Sequence, residues 1–226
     1  MFLGSFLGRV INEDGRVVVI LRSFTESLGA YLASRLADIP EAPVITYGLP
    51  GAAEGKNAVS IYLCTITEDT ALRSFDKNYE RIAGAWVSTP MPLRLKCGYI
   101  VSAWPAVTAA VATADATAAS VAAADASEAA LTRQNMLSAV YGVLSSMSTV
   151  PSAFLPASLK TDDLQKPVIA ISDSALFKDP TFWTSIGCAY QPSFYFNATV
   201  SLPVAEEHYD HVVEGLDITY KNGLVV

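Results

Sequence analysis

The sequence predicts an α+β fold: a mostly antiparallel sheet with a long β-ribbon, packed against two or three helices. Three patterns point there. Met91, Leu93, Leu95, Cys97, Tyr99 and Val101 alternate with Pro92, Arg94, Lys96, Gly98 and Ile100, the period of a strand with two different faces. Residues 193–202 alternate in the same way, with Phe194, Phe196, Ala198, Val200 and Leu202 on one face. Ser193, Tyr195, Asn197, Thr199 and Ser201 take the other. Helical three- and four-residue spacing recurs in 16–38 and in 127–147.

Taken in order, residues 16–38 carry Ile20 or Leu21, Phe24, Leu28, Tyr31 or Leu32, and Leu36 on one stripe, with Pro40 and Pro43 as stops. The β-branched run from Val17 to Ile20 leaves the helix start open. A short strand at 44–47 leads through the loop 48–57 to a strand at 58–67. This strand is expected to pair with 91–104 as an antiparallel ribbon, with 68–90 as the connecting loop because that segment has no clean period. Residues 105–130 are dominated by Ala, with too few large apolar side chains to dock firmly, and read as a surface insertion, partly helical.

A core helix is expected at 127–147, with Leu131, Leu137, Val140, Tyr141, Leu144 and Met147 along one side. Glu128 suits its positive N-terminal end. After the breaks at Pro151 and Pro156 come a strand at 168–172 and a short helix capped by Asp179 and opened by Pro180. Beyond Pro203 the chain turns polar and acidic. Asn222-Gly223 between apolar residues reads as a hairpin, or equally as part of an extended arm that adds a strand to a neighbour. The organisation read from this is an extension at 1–15, one domain at 16–204 with the insertion 105–130, and an arm at 205–226.

Composition narrows the function. Hydrophobic residues make up 51% and charged ones 16%, which suggests apolar surface covered by other subunits. The longest apolar run, Val17 to Leu21, is too short to span a bilayer, so no membrane insertion is expected. The mildly apolar start is interrupted by Asn12, Glu13 and Asp14, which argues against a secretory signal. Net charge is −7, and the longest basic cluster is the Arg94/Lys96 pair, so no nucleic-acid partner is expected. Cys64, Cys97 and Cys188 are odd in number and far apart, which fits reduced structural thiols.

Chemical motifs are sparse. The loop Gly48–Asn57 has Pro50 where a phosphate-binding loop needs Gly, and Asn57 where it needs Ser or Thr, so it reads as a turn. His208 and His211 beside Glu206, Glu207 and Asp210 would share a helical face and offer a metal shell, while a solvated polar linker is the plainer account. The chain has no other histidine, and it has no G-x-S-x-G elbow. The acidic pairs Glu68/Asp69 and Asp162/Asp163 sit in loops with nothing to split their pKa values. Trp104 and Trp183 are expected in the core, and Trp86 at a contact.

Four segments together resemble one family: AVSIYLCTITEDTALRS, PMPLRLKCGYIVSAW, LTRQNMLSAVYGVLSSM and DPTFWTSIGCAYQPSFYFNATVSLPV. They are similar to the cap proteins of contractile injection systems, the phage-tail-like particles of the antifeeding-prophage and virulence-cassette type. Glu68, Asp69, Leu72 and Arg73 match one element. Pro90, Pro92, Leu93, Leu95, Tyr99, Val101, Ala103 and Trp104 match the next, and Trp183, Tyr190, Pro192 and Ser193 the last. The likeness spans residues 20–204; the Ala-rich stretch and both ends fall outside it.

The resemblance implies a tail-terminator-like fold and a structural role without catalysis, cofactor or metal. It implies a homo-hexameric ring that ends the inner tube, joins the last sheath ring, and assembles in the cytoplasm at the end of the particle. On that reading Arg73, Phe75, Lys77, Tyr79 and Trp86 are expected to meet tube or sheath protein. Leu216, Ile218, Tyr220, Leu224 and Val226 are expected to reach the sheath as an arm. Arg94, Lys96, Tyr195 and Asn197 are expected at contacts between subunits, placed on the ribbon and the opposite sheet edge. A completion protein of a contractile phage tail or neck is the alternative, and a metal enzyme using His208 and His211 a more distant one.

Overall fold

The computed structural model describes residues 20–39, 42–51, 55–72, 77–82, 85–106, 116–160, 166–174, 178–188, 190–202, 207–209, 220–221 and 224–225. The first element is helix α1 (Ile20–Leu36), which buries Ile20, Phe24, Leu28, Leu32 and Leu36, one residue every fourth position. Of the alternatives in the sequence, Ile20 and Leu32 turn inward, while Leu21 and Tyr31 flank the core. Residues 16–19 lie outside the described residues. Strands β1 (Val44–Thr46) and β2 (Ala58–Glu68) follow, then a 3₁₀ turn at Thr70–Leu72. Strands β3 (Lys77–Ile82), β4 (Ala85–Pro90) and β5 (Leu93–Trp104) come next, then helix α2 (Ala116–Ser145), strand β6 (Val168–Ser172) and helix α3 (Pro180–Ser185). Strand β7 (Ser193–Leu202) and the short strands β8 (Glu207–Tyr209), β9 (Tyr220–Lys221) and β10 (Leu224–Val225) end the chain.

The main sheet has five strands in the order β1-β2-β5-β7-β6. The expected ribbon is present: β2 and β5 pair antiparallel from Ala58↔Trp104 to Glu68↔Leu95, with one irregularity at Cys64. It forms the middle of the sheet, because β5 pairs on its other side with β7 from Ser102↔Ser193 to Leu93↔Leu202. The edge strand β1 runs parallel to β2, so the sheet is mixed.

Both helices α1 and α2 pack on one face of this sheet. Val59, Ile61, Cys97, Tyr99, Val101, Phe196, Ala198, Val200 and Ile169 meet Phe24, Leu28, Leu32, Met136, Val140 and Leu144 in a single apolar core. Tyr99 lies at its centre, stacked on Phe196 with ring centroids 5.0 Å apart, and its hydroxyl meets the Thr25 hydroxyl at 2.9 Å. That partner satisfies a phenol whose ionisation burial pushes far upward.

Two expectations about the middle of the chain need correction. The segment 68–90 is not an irregular loop: β3 and β4 form an antiparallel hairpin from Lys77↔Pro90 to Ile82↔Ala85. The stretch 116–130 is not an insertion beside a separate core helix, since it is the N-terminal half of the 30-residue α2. Alanine explains the continuity, being the best helix former, and the docking face begins only further along. There Met136, Val140 and Leu144 are buried, whereas Leu131 and Tyr141, expected on the core side, are exposed. Tyr141 rests edge-on against Phe194 at 5.3 Å.

The opposite face of the sheet is not an open row of hydroxyls along its whole length. Asp179 Oδ1 accepts from Thr181 N–H at 2.8 Å and starts α3, and Gly187 at φ 72° ends it. The helix seats Trp183 on Ile100 and Tyr195, with Cys64, Phe182, Ile186 and Cys188 around them. Trp183 is fully buried, as expected, and Trp104 is half-buried with its indole N–H donated to Ser102 Oγ. Cys64, Cys97 and Cys188 are all free thiols.

Candidate functional site

The two ends of the main sheet differ in what they carry. At one end β2 stops at Glu68, β5 starts at Leu93 and β7 stops opposite it at Leu202, so the hairpin and the tail leave together. They rejoin at once. Strand β8 pairs antiparallel with β4, matching Trp86↔Tyr209, Val87↔His208 and Ser88↔Glu207, and makes a second sheet in the order β3-β4-β8. The segment expected to meet tube or sheath and the start of the expected arm are therefore one three-stranded unit.

Within that unit, Lys77 and Tyr79 fall on β3 and Trp86 on β4, and the register Arg81↔Trp86 puts positions 77, 79 and 86 on one face. Arg73 and Phe75 lie outside the described residues. So do Leu216, Ile218 and Val226. Tyr220 and Leu224 belong to the closing pair of strands, where Val225↔Tyr220 and Leu224↔Lys221 form the hairpin that Asn222-Gly223 suggests. His208 lies on a strand, which removes the helical spacing that would align it with His211, itself outside the described residues. Among the described residues no group of three His, Cys, Asp or Glu is placed to hold a metal, and no helix is long and apolar enough to cross a membrane.

The four residues expected at subunit contacts all lie on the sheet face away from α1 and α2. Lys96 is exposed opposite Thr199, and Arg94 is half-buried opposite Ser201. The Asn197 amide donates to Ser172 Oγ at 2.7 Å and so ties edge strand β6 to β7. Tyr195 is the exception. It is only 8% exposed, with its hydroxyl 3.2 Å from Thr65 Oγ1 and its ring against Trp183 and Ile100. Its side chain belongs to the chain's own second core, because α3 covers the part of the strand that alternation alone leaves open.

Sequence reading missed the hairpin β3–β4 and the length of α2. The signal for the first was present in the strand-forming runs around Tyr79 and Val87, separated by the small pair Ala83-Gly84. The alternating charges of Lys77, Glu80 and Arg81 obscured its apolar period.

The architecture has known counterparts. The family model of the Pvc16 N-terminal domain matches residues 23–213. The chain belongs to the Pvc16 N-terminal domain family. That match runs from within α1 past β8, so the three-stranded unit is part of the Pvc16 N-terminal domain as much as the main sheet is. Among solved structures, the chain is similar to the sheath/tube terminator of the PVC extracellular contractile injection system in its extended state. The TM-score is 0.59 and the identity 18%, over 89% of this chain and 63% of that one. It is also similar to the tube-terminating cap of the anti-feeding prophage, with a TM-score of 0.56 and 19% identity, over 91% of this chain and 62% of that one. The chain thus spans less than two thirds of the length of either terminator. Comparison with curated proteins finds no sequence match.

Proposed function

We propose that this chain is a structural tube terminator of a contractile injection system, a cap that ends the inner tube and anchors the last sheath ring. The observation that carries the reading is the Pvc16 N-terminal domain fold, shared along about nine tenths of the chain with two terminators. The features of the molecule agree with it. Its apolar excess suits a subunit, and its acidity suits protein partners. Six copies close head to tail into a ring on the last tube ring, which needs two different complementary surfaces on each copy. The unit of β3, β4 and β8 meets the tube or sheath protein through Arg73, Phe75, Lys77, Tyr79 and Trp86. The arm beyond it, with Leu216, Ile218, Tyr220, Leu224 and Val226, holds the sheath. Contacts between subunits involve Arg94, Lys96 and Asn197.

The test is negative-stain imaging of the purified chain, alone and after mixing with purified tubes. Six-fold rings at tube ends, with tube growth halted there, are expected. Tubes that keep growing with no added density at their ends would refute the proposal.

A further inference from the structure

Helix α2 runs well past the sheet it packs on. Its C-terminal end is fixed beside β6, where Ile169 N–H donates to Ser148 O at 2.7 Å. Further back, Arg133 Nε donates to Ala103 O at the far end of β5. Residues 116–132 precede this second anchor, an N-terminal overhang of about 25 Å of helix at 1.5 Å per residue, in which Ala129, Ala130 and Thr132 are half-buried. It leaves the end opposite the hairpin and tail. The overhang contains Asp125 and Glu128, both exposed, and no Lys or Arg. Beside them Leu131 is 52% exposed.

The other sheet face supplies the complement. Past the edge of α3 it offers a shallow row across four strands, Thr67, Lys96, Thr199 and Val168, in register. Next to it lies the row Thr65, Gly98, Asn197 and Ala170. The strand positions on this face carry no acid; Arg94 and Lys96 are their charged residues, in a chain whose net charge is −7. Val168, 49% exposed, gives it an apolar spot.

Building on the ring reading above, we propose that the acidic overhang of α2 docks on the Lys96 row of the next copy. Asp125 and Glu128 approach Lys96, and Leu131 covers Val168. The two surfaces sit at opposite ends of one chain. The contact is therefore heterologous, and it propagates around a ring instead of closing a two-fold pair. The charge pairing also makes assembly sensitive to ionic strength.

The test is charge reversal with rescue. D125K/E128K and K96E are each expected to raise the concentration needed for ring formation at least tenfold, read by mass photometry and imaging. The triple variant is expected to restore it. Circular dichroism and the melting temperature of each monomer report folding separately. A wild-type chain that forms rings while both reversals leave them intact would overturn this contact and spare the ring. Loss of rings in both reversals without recovery in the triple variant also overturns it. A wild-type chain that stays monomeric alone and on purified tubes would instead remove the ring reading itself.

Discussion

The hydroxyl of Tyr195 lies directly over the backbone of Gly98, in a space that a Cβ at position 98 would occupy. Thr65 Oγ1 closes the same space from β2 and pairs with the Tyr195 hydroxyl. The glycine is required by this close approach, and three neighbouring strands are locked together over it. Gly98→Ala is therefore expected to destabilise the fold by about 1–3 kcal/mol through overpacking. Tyr195→Phe alone loses the hydrogen bond to Thr65, worth about 1 kcal/mol. The double variant is expected to be more stable than the sum of the two, because the hydroxyl is the nearest of the atoms in that space and its removal relieves the worst overlap, while the Tyr195 ring carbon and Thr65 Oγ1 must still shift. Additive losses in a denaturant-based double-mutant cycle would contradict this account.

Helix α2 supplies a second check. Leu144→Ala empties a fully buried site and is expected to cost about 2–5 kcal/mol. Leu131→Ala changes an exposed position and is expected to stay within about 0.5 kcal/mol of the parent. Comparable losses for both in chemical denaturation would mean that the core face of α2 is wrongly assigned.

The Asp179 cap predicts acid behaviour. Its hydrogen bond from Thr181 holds the carboxyl below the usual carboxylate range. A depressed pKa in the folded state contributes stability above the unfolded value and loses it as pH falls through the folded one. The contribution therefore fades below about pH 4. Asp179→Asn keeps the cap and is expected to match the parent near neutral pH while flattening that part of the acid limb. An unchanged acid limb in melting curves from pH 6 to 3 would refute the link.

The thiols should separate by accessibility. Burial pushes Cys97 up to about 11, so at pH 8 it is expected to resist alkylation until the chain unfolds. In the unfolded chain the thiol ionises near pH 8.5, so this group's stabilising contribution declines as pH rises from there toward 11. Labelling of Cys97 in the native protein at pH 8, seen by peptide mass analysis, would contradict its placement.

Truncations divide the tail. Removing 216–226 is expected to leave the fold and ring formation unchanged while loosening sheath attachment, read as particles with detached sheaths. Removing 204–226 also takes β8 from β4 and is expected to increase proteolysis within 77–90. Equal protease resistance in both truncations would show that β8 does not support the hairpin.

The parts of this fold legible in the sequence are those where alternation is undisturbed. In β5 and β7 each inward residue is apolar, and most are large, so period and inner face follow directly. Tyr195 shows the limit. Its strand reads as having a wet outer face, and only the arrival of α3, a helix of six residues around Trp183, dries that stretch. Alanine hid α2 for the opposite reason, since a segment can be helical without any residue large enough to mark a face. The strand at 44–47 was legible, but its parallel pairing with β2 was not, because the two join through a connection shorter than parallel pairs usually have. Among the proposed contact residues, Lys96 was found as an exposed charge on a strand, while its acidic counterpart on α2 was lost in low complexity.

The pairing of β8 with β4 has a mechanical consequence. Tension applied to the chain beyond Tyr209 runs along β8 and shears its short register against β4 before it reaches β7, which is held by β5 along its whole length and by β6 from Tyr195 to Thr199. A sudden pull on the tail would therefore be spent first on separating the three residues of β8 from the hairpin, and the load on the main sheet would rise only afterwards. Pulling single molecules by the C-terminus should show a small early extension well below the force that opens the main sheet; a single event at one force would rule out such a fuse.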